Sequence, residues 1–266
     1  MADNLYSATG ALGAMLLGAA SIAASTYTAA QGGYTLTLVF DLLAMVLLFG
    51  ALGLWITHHL LGMLIDSRNV YSLARLQTAG WSLLVFAAIL AMAIINLSRR
   101  DPAAIDIQLP STLLTLMGIS ATSLVGSSLI LATKKNTSVP EATAQSALTA
   151  MAGQMHVDDG QLTNQGVLVA NKQMGQARWR DLLTGEELAD AGHIDIARVQ
   201  MLFFSLASLI VYGVEIGLMI DSITPQIHGV IPQTHGFPPI SANMITLIAI
   251  SQGGYLINKA IPATAK

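Results

Sequence analysis

The sequence predicts an all-α fold, a polytopic membrane helical bundle of about six transmembrane helices with two parallel two-helix repeats and a small cytoplasmic insert. The chain of 266 residues is 53% hydrophobic and only 10% charged, whereas soluble domains carry about 25% charged residues. Several apolar runs reach the roughly 20 residues that a helix needs to cross a bilayer core. Two pairs of segments also resemble each other, which predicts the repeats.

The predicted helices are six apolar runs, residues 9–28, 36–64, 78–97, 112–132, 199–220 and 242–258. The first run is rich in Gly and Ala and follows a start that lacks Lys and Arg, so a retained helix is favoured over a cleaved signal peptide. The second run would form a helix about 43 Å long, which should tilt or protrude and bring His58 and His59 near water.

The charges exclude several classes of protein and predict an orientation. A net charge of −3 provides no basic excess for binding nucleic acid, and the absence of cysteine excludes disulfides and thiolate metal sites. Lys and Arg concentrate at one end of the runs, whereas the other end carries Arg99 and Arg100 beside Asp101 and Asp106. The positive-inside bias therefore predicts a multi-pass protein with both termini in the cytoplasm. The membrane is expected to be a bacterial inner (cytoplasmic) membrane.

The repeats are predicted by two alignments. Residues 71–86 align with 194–209 so that Arg75 and Gln77 fall on Arg198 and Gln200, and residues 113–124 align with 244–255. Ser72 aligns with Asp195 at the second position of these segments, and both are good N-cap residues for a helix that starts there. Because each unit crosses twice, the two copies would share one orientation. The alternative is chance similarity between apolar helices.

These patterns predict four segments. They are two N-terminal transmembrane helices (1–66), a first repeat (67–132), a polar cytoplasmic insert (133–193) and a second repeat (194–266). The segments YSLARLQ (71–77) and LMGIS (116–120) resemble those of uncharacterised bacterial polytopic membrane proteins with duplicated two-helix units. The second copy departs from the first motif, with Ile194-Asp195-Ile196 in place of Tyr71-Ser72-Leu73. The resemblance implies no activity.

The returning helix of each repeat carries small residues at four-residue spacing. Gly118, Thr122 and Gly126 form one stripe, and Ala249 and Gly253 follow the same spacing in the second copy. Small residues at this spacing let helices pack closely in lipid. The alternative is that polar side chains of these helices line a polar pathway, and the candidates are Ser120, Thr122, Ser123, Ser251 and Gln252.

Asp41 and Glu215 are acidic residues within apolar runs, where a charge is costly and therefore a candidate for function. Pairing with Arg99 or Arg100 is one interpretation, and a cation or proton role is the other. The duplicated pairs Arg75–Gln77 and Arg198–Gln200 lie where arginines commonly reach lipid phosphate. They could instead hold the two halves, or two subunits, in register.

The insert contains the candidate docking surface. Trp179, between two arginines, is typical of an interface anchor, and the acidic residues that follow extend the candidate surface. The alternative for Trp179 is the membrane interface. The predicted docking residues are Trp179, Arg180, Asp181, Glu186 and Glu187. A short strand at 166–170 and a capping box formed by Thr184 and Glu187 are also expected.

No catalytic motif or phosphate-binding loop is present in the sequence. His228 and His235, with Asp221, lack a fourth metal ligand, so no metal and no cofactor are expected. The sequence therefore favours a non-enzymatic inner-membrane subunit, an oligomeric scaffold or the membrane anchor of a larger complex. The alternative is an ion or small-solute channel or transporter with acidic residues near its outer mouth. The expected partners are the lipid bilayer and copies of itself or a larger membrane complex.

Overall fold

The computed structural model describes residues 2–222 and 236–263 and is mostly helical, as predicted. The helices in these residues are α1 (Ala2–Ala30), α2 (Tyr34–Thr57), α3 (Leu73–Ser98), α4 (Ser111–Lys135), α5 (Glu141–Met155), α6 (Ile196–Asp221) and α7 (Ala242–Ala260). Two short strands, β1 (Leu162–Gln165) and β2 (Leu168–Asn171), form an antiparallel hairpin in the insert.

Five helices of the described chain are long and apolar enough to cross a membrane, which supports a membrane protein with transmembrane helices. They are α1 from Ser7, α2, α3, α4 and α6. The sixth expected span forms helix α7, but α7 does not reach the same apolarity. Its 19 residues include Asn243, Gln252, Asn258 and Lys259, and these polar side chains lower its mean hydropathy.

The second helix is shorter than the expected run of residues 36–64, because α2 ends at Thr57. His58 adopts a left-handed conformation with φ 59°, and its N–H donates to the carbonyl of Leu54. The chain then folds back over α2, since a Cβ at Gly53 would lie 2.7 Å from the carbonyl oxygen of Leu60. The helix is therefore about 36 Å long.

One compact unit contains residues 1–63, 79–117 and 206–245, of which the described part is mainly helical. Within it α1 packs along α2, and the hydroxyl of Ser21 donates to the carbonyl of Phe40 over 2.7 Å. Trp81 and Tyr212 have ring centroids 5.9 Å apart and join α3 to α6.

The other compact unit contains residues 64–78, 118–205 and 246–266 and includes the insert. The insert has a small core of its own, formed by Leu148, Met151, Ala152, Leu162, Val169 and Ala191. Strand β2 overlaps the expected strand at 166–170, and Gly166 begins the turn with φ 60°. The expected capping box is wrong, because no helix begins at Thr184; Thr184 and Glu187 instead form bridges to Ile194 and Leu168.

Candidate functional site

Glu186, in the insert, lies in a buried network of charges. Arg68, Arg198 and Lys259 all donate to the same carboxylate oxygen, Glu186 Oε1. The donor–acceptor distance is 2.9 Å for Arg68 Nη2 and 2.7 Å for Lys259 Nζ. Each of the four side chains is less than one-tenth exposed. We call these four residues the Glu186 network.

Glu187 makes a second set of buried contacts beside this network. Lys134, in the last turn of α4, donates to Glu187 Oε1 and to the carbonyl oxygen of Lys259. The backbone N–H of Ala263 donates to Glu187 Oε2 over 3.0 Å. Two consecutive glutamates of the insert therefore contact residues of α4, α6 and α7.

The buried charges balance. Two further carboxylates pair with the arginines, Asp66 with Arg68 at 2.7 Å and Asp195 with Arg198 at 3.6 Å. Burial alone would raise the pKa of Glu186, but the positive charges of Arg198, Arg68 and Lys259 lower that pKa well below its ordinary value. Glu186 is therefore ionised at neutral pH. In total, four cations face four carboxylates. The cations are Arg68, Lys134, Arg198 and Lys259, and the carboxylates are Asp66, Glu186, Glu187 and Asp195.

The predicted helix caps are confirmed. Asp195 Oδ1 accepts from the backbone N–H of Ala197 over 2.9 Å, and Asp195 Oδ2 accepts from Asn258 Nδ2 over 2.8 Å. Ser72 Oγ accepts from the backbone N–H of Arg75 over 3.5 Å. Asp195 therefore both caps α6 and helps to hold Arg198 in place.

The two Arg-x-Gln pairs lie in different surroundings. Arg198 is buried in the Glu186 network, whereas Arg75 is half-buried and lines a cavity of about 250 Å³. Gln77 is buried, whereas Gln200 is exposed. Equivalent positions in the predicted repeats thus have different contacts.

Five buried polar side chains form what we call the polar row, namely Gln77, Ser120, Ser123, Ser251 and Gln252. None is more than 5% exposed. Both side-chain atoms of each amide and all three hydroxyl oxygens have no hydrogen-bond partner among the described residues. Buried polar groups are normally hydrogen-bonded, so the row is an unusual feature of this helix packing.

Contacts between the helices place the polar row at one level of its unit. Thr78, which follows Gln77, donates to the carbonyl oxygen of Ser120 over 3.3 Å. The hydroxyl oxygens of Ser127 and Tyr255 are 3.3 Å apart. Ser123 and Ser251 each lie four residues, about one helical turn, before Ser127 and Tyr255. The contact between α4 and α7 therefore places Ser123 at the same level as Ser251.

The small-residue stripe faces partly outward. Gly118 and Thr122 are exposed, and a Cβ built at Gly118 would have no neighbour within 4 Å. Gly126 does pack closely, because its Cβ would lie 3.3 Å from a side chain of α7. In α7, Ala249 and Gly253 are half-buried. The stripe is therefore available for packing against another helix at Gly118 and Thr122.

Asp41 is buried in α2, where Ser25 Oγ donates to Asp41 Oδ2 over 2.8 Å. Arg99 Nε instead donates to the hydroxyl of Tyr34 over 3.1 Å, and Arg100 is exposed just beyond the end of α3. Within residues 2–222 and 236–263, Ser25 is the hydrogen-bond partner of Asp41, so the expected pairing with Arg99 or Arg100 is not present. The reason is the position of Arg99 along α2. Arg99 contacts Tyr34, the first residue of α2, which lies two helical turns before Asp41.

Glu215 occupies the opposite kind of position, because it is exposed on α6. Its neighbours on the same side, Val211, Val214 and Leu218, are each more than half exposed. Glu215 lies six residues, about 9 Å, before Asp221 at the end of the helix. A carboxylate therefore projects from an otherwise apolar outer face of a helix that is long enough to cross a membrane.

Trp179 is 56% exposed and stacks on Tyr71, with ring centroids 4.8 Å apart. Beside it, Arg180 and Asp181 are half-buried. Burial raises the pKa of Asp181, and a hydrogen bond of 2.8 Å from the backbone N–H of Arg178 opposes this rise.

Glu186 and Glu187 do not lie on the predicted docking surface. Both are buried, because the cations of α4, α6 and α7 draw these two carboxylates inward. The candidate docking surface therefore consists of Trp179 with Arg180 and Asp181.

The network roles of Arg68, Lys134 and Lys259 are not predicted from the sequence, in which these residues look like ordinary cytoplasmic positive charges. A signal was present in Lys134 and Lys259, each of which lies in the last turn of its helix. The pair Glu186-Glu187 between two apolar segments was the complementary signal.

The described ranges contain no group of three or more His, Asp or Glu side chains placed to hold a metal ion. His228 and His235 lie outside the described residues. Comparison of the chain with protein-family models, curated proteins and solved structures gave no match.

Proposed function

We propose that this chain is a non-enzymatic subunit of a bacterial inner membrane that associates with further copies of itself and presents its insert to a larger complex. The observation that carries the proposal is the outward-facing Glu215. Charged side chains within membrane helices almost always face protein or a water-filled cavity, because facing lipid costs about 2.5–3.5 kcal/mol at the helix centre. A second copy that offers a hydrogen-bond donor or a cation to Glu215 would lower that cost.

Helix α4 supports self-association independently. Gly118 and Thr122 are exposed side by side on one face, and Gly118 has open space in front of it. Small residues allow two helix backbones to approach closely, and a threonine hydroxyl can hydrogen-bond across such a contact.

The insert supports the anchoring role. Glu186 and Glu187 attach it to residues of α4, α6 and α7 through buried ion pairs, so it forms a rigid platform rather than a tether. Trp179 is an exposed aromatic residue held in one orientation by Tyr71. Rigid aromatic anchors of this kind commonly dominate the energy of protein interfaces.

Replacing Glu215 with Leu is expected to weaken self-association about three- to twentyfold, because polar contacts between membrane helices contribute roughly 0.6–1.7 kcal/mol each. The measurement is native mass spectrometry after extraction in mild detergent, combined with a dilution series of fluorescently labelled protein in liposomes.

Glu141→Gln is the matched control, because Glu141 is an exposed carboxylate of the insert outside the candidate spans. It should leave the oligomer unchanged. A Glu215→Leu variant that keeps its oligomer size and unfolds at a higher temperature would show that Glu215 faces lipid, and the proposal would fail.

Replacing Trp179 with Ala is expected to reduce the yield of a co-purifying complex about thirtyfold, since interface anchors contribute about 2 kcal/mol or more. Quantitative mass spectrometry of the mild-detergent extract measures this. Trp55→Ala is the control, because Trp55 is similarly exposed at the end of α2. Equal losses in both variants would assign Trp179 to the membrane interface instead.

A second candidate function, an ion or small-solute channel or transporter, is favoured by the polar row. Within the part of the chain that the structure describes, its five buried polar side chains have no hydrogen-bond partner, so they could offer hydrogen bonds to a permeating species. Flux of monovalent ions and small neutral solutes into liposomes that contain the protein tests this function.

A further inference from the structure

A cavity of about 250 Å³ lies where the first turn of α3 meets the last turns of α4 and the hairpin of the insert. Its walls include the side chains of Ser72 and Arg75 from α3 and its cap, Ser127 and Lys135 from α4, and Gln165 from the hairpin. Hydroxyl and cationic groups from separate parts of the chain thus converge on one space.

The cavity has a net positive lining. Its charged residues are three cations and one carboxylate, namely Arg68, Arg75, Lys135 and Asp66. Asp66 and Arg68 form an ion pair with each other at 2.7 Å. Arg75 and Lys135 are the other two cations of the lining, which therefore carries a net positive charge and favours an anion.

The same cavity also has an apolar wall. Leu124 and Leu131 contribute to it from α4, one or more turns before Lys135. Lys135 is the last residue of one candidate membrane span and Arg75 lies in the first turn of another. Cations at the ends of two spans beside apolar side chains suit an amphiphile with an anionic head.

We propose that this cavity binds the phosphate group of an anionic membrane lipid. Arg75 and Lys135 contact the phosphate oxygens, the hydroxyls of Ser72 and Ser127 donate hydrogen bonds, and the first carbon atoms of the acyl chains lie along Leu124 and Leu131. The site is independent of the proposed self-association, because it uses no residue of the Glu215 face.

The test measures binding of two soluble short-chain lipids, dioctanoyl phosphatidylglycerol and dioctanoyl phosphatidylcholine, to the full-length protein by native mass spectrometry. Inorganic phosphate is titrated in a third arm. The variants are Arg75→Gln, Lys135→Gln and the double variant. Lys172→Gln is the control, because Lys172 is an exposed lysine of the insert that does not line the cavity.

The anionic lipid is expected to bind more tightly than the zwitterionic lipid, and each single variant should weaken it about fivefold, since a basic residue near a membrane surface contributes about 1 kcal/mol. The double variant should weaken it about 25-fold by the same reasoning. Lys172→Gln should not change it. Lys135 is exposed, so its variant keeps the test valid even where Arg75→Gln disturbs folding.

Three results would overturn the proposal. Equal binding of both lipids would remove the requirement for an anion. Equal weakening by Lys172→Gln would show a diffuse surface charge instead of a site. Inorganic phosphate that binds as tightly as the anionic lipid and displaces it would identify a site for free phosphate, in which the apolar wall has no role.

Discussion

Replacing Glu186 with Gln is expected to lower the free energy of unfolding by about 3–5 kcal/mol, because removing one partner of a buried ion pair leaves the others uncompensated. Here three cations, Arg68, Arg198 and Lys259, would surround a neutral amide. For a chain of this size the unfolding midpoint should fall by roughly 6–20 °C. Thermal unfolding of the purified protein in detergent, followed by tryptophan fluorescence, measures the change.

Glu141→Gln again provides the control and should change the free energy of unfolding by no more than about 0.5 kcal/mol, as expected for an exposed residue. Adding Lys259→Met to Glu186→Gln should recover part of the loss, because it removes one of the uncompensated charges. A loss below about 1 kcal/mol in Glu186→Gln would mean that the network does not hold the insert in place.

The pH dependence of stability follows from the same carboxylate. Because the pKa of Glu186 is lower in the folded chain than in the unfolded chain, its contribution is fully present above about pH 4.3–4.5. The contribution is lost as the pH falls from there through the folded pKa. Unfolding midpoints measured from pH 8 to pH 3 should therefore show a smaller acid loss in Glu186→Gln than in the natural chain.

Features set by neighbouring residues could be predicted from the sequence. The helix caps Ser72 and Asp195 and strand β2 depend on residues within a few positions of each other. The Glu186 network could not be predicted in this way, because Arg68 and Lys259 meet only after the chain folds. A buried glutamate and a solvated one have the same local sequence signals, so Glu186 and Glu187 were expected on a surface.

The side of α4 that faces inward is a second feature that could not be predicted from the sequence. Ser, Thr and Gly occur on all sides of this helix, so the spacing of small residues does not indicate which side packs inward. The structure buries Ser120, Ser123 and Ser127, whereas the stripe through Gly118 and Thr122 faces partly outward. The end of α2 is a third feature that could not be predicted. A left-handed residue after a helix is usually glycine, but here it is His58, so the sequence does not indicate that the helix ends there.

Replacing Gln252 with Leu separates the two interpretations of the polar row. Both side-chain atoms of Gln252 are buried without a partner among the described residues. Leaving a buried polar group unsatisfied costs about 1–3 kcal/mol, so an apolar side chain of similar size should raise the free energy of unfolding by about that amount. If the row lines a pathway, the same change should also abolish flux in liposomes, and Gln77→Leu should act in the same direction.

Gln200→Leu is the matched control, because Gln200 is the predicted repeat counterpart of Gln77 but is exposed. It should alter neither stability nor flux. A Gln252→Leu protein that is more stable while flux persists would show that the row is not the pathway, and the scaffold function would be the one retained. A loss of stability would instead show that the amide makes hydrogen bonds in the membrane. Because stability and flux respond independently, the pair of measurements distinguishes a packing defect from a working polar pathway.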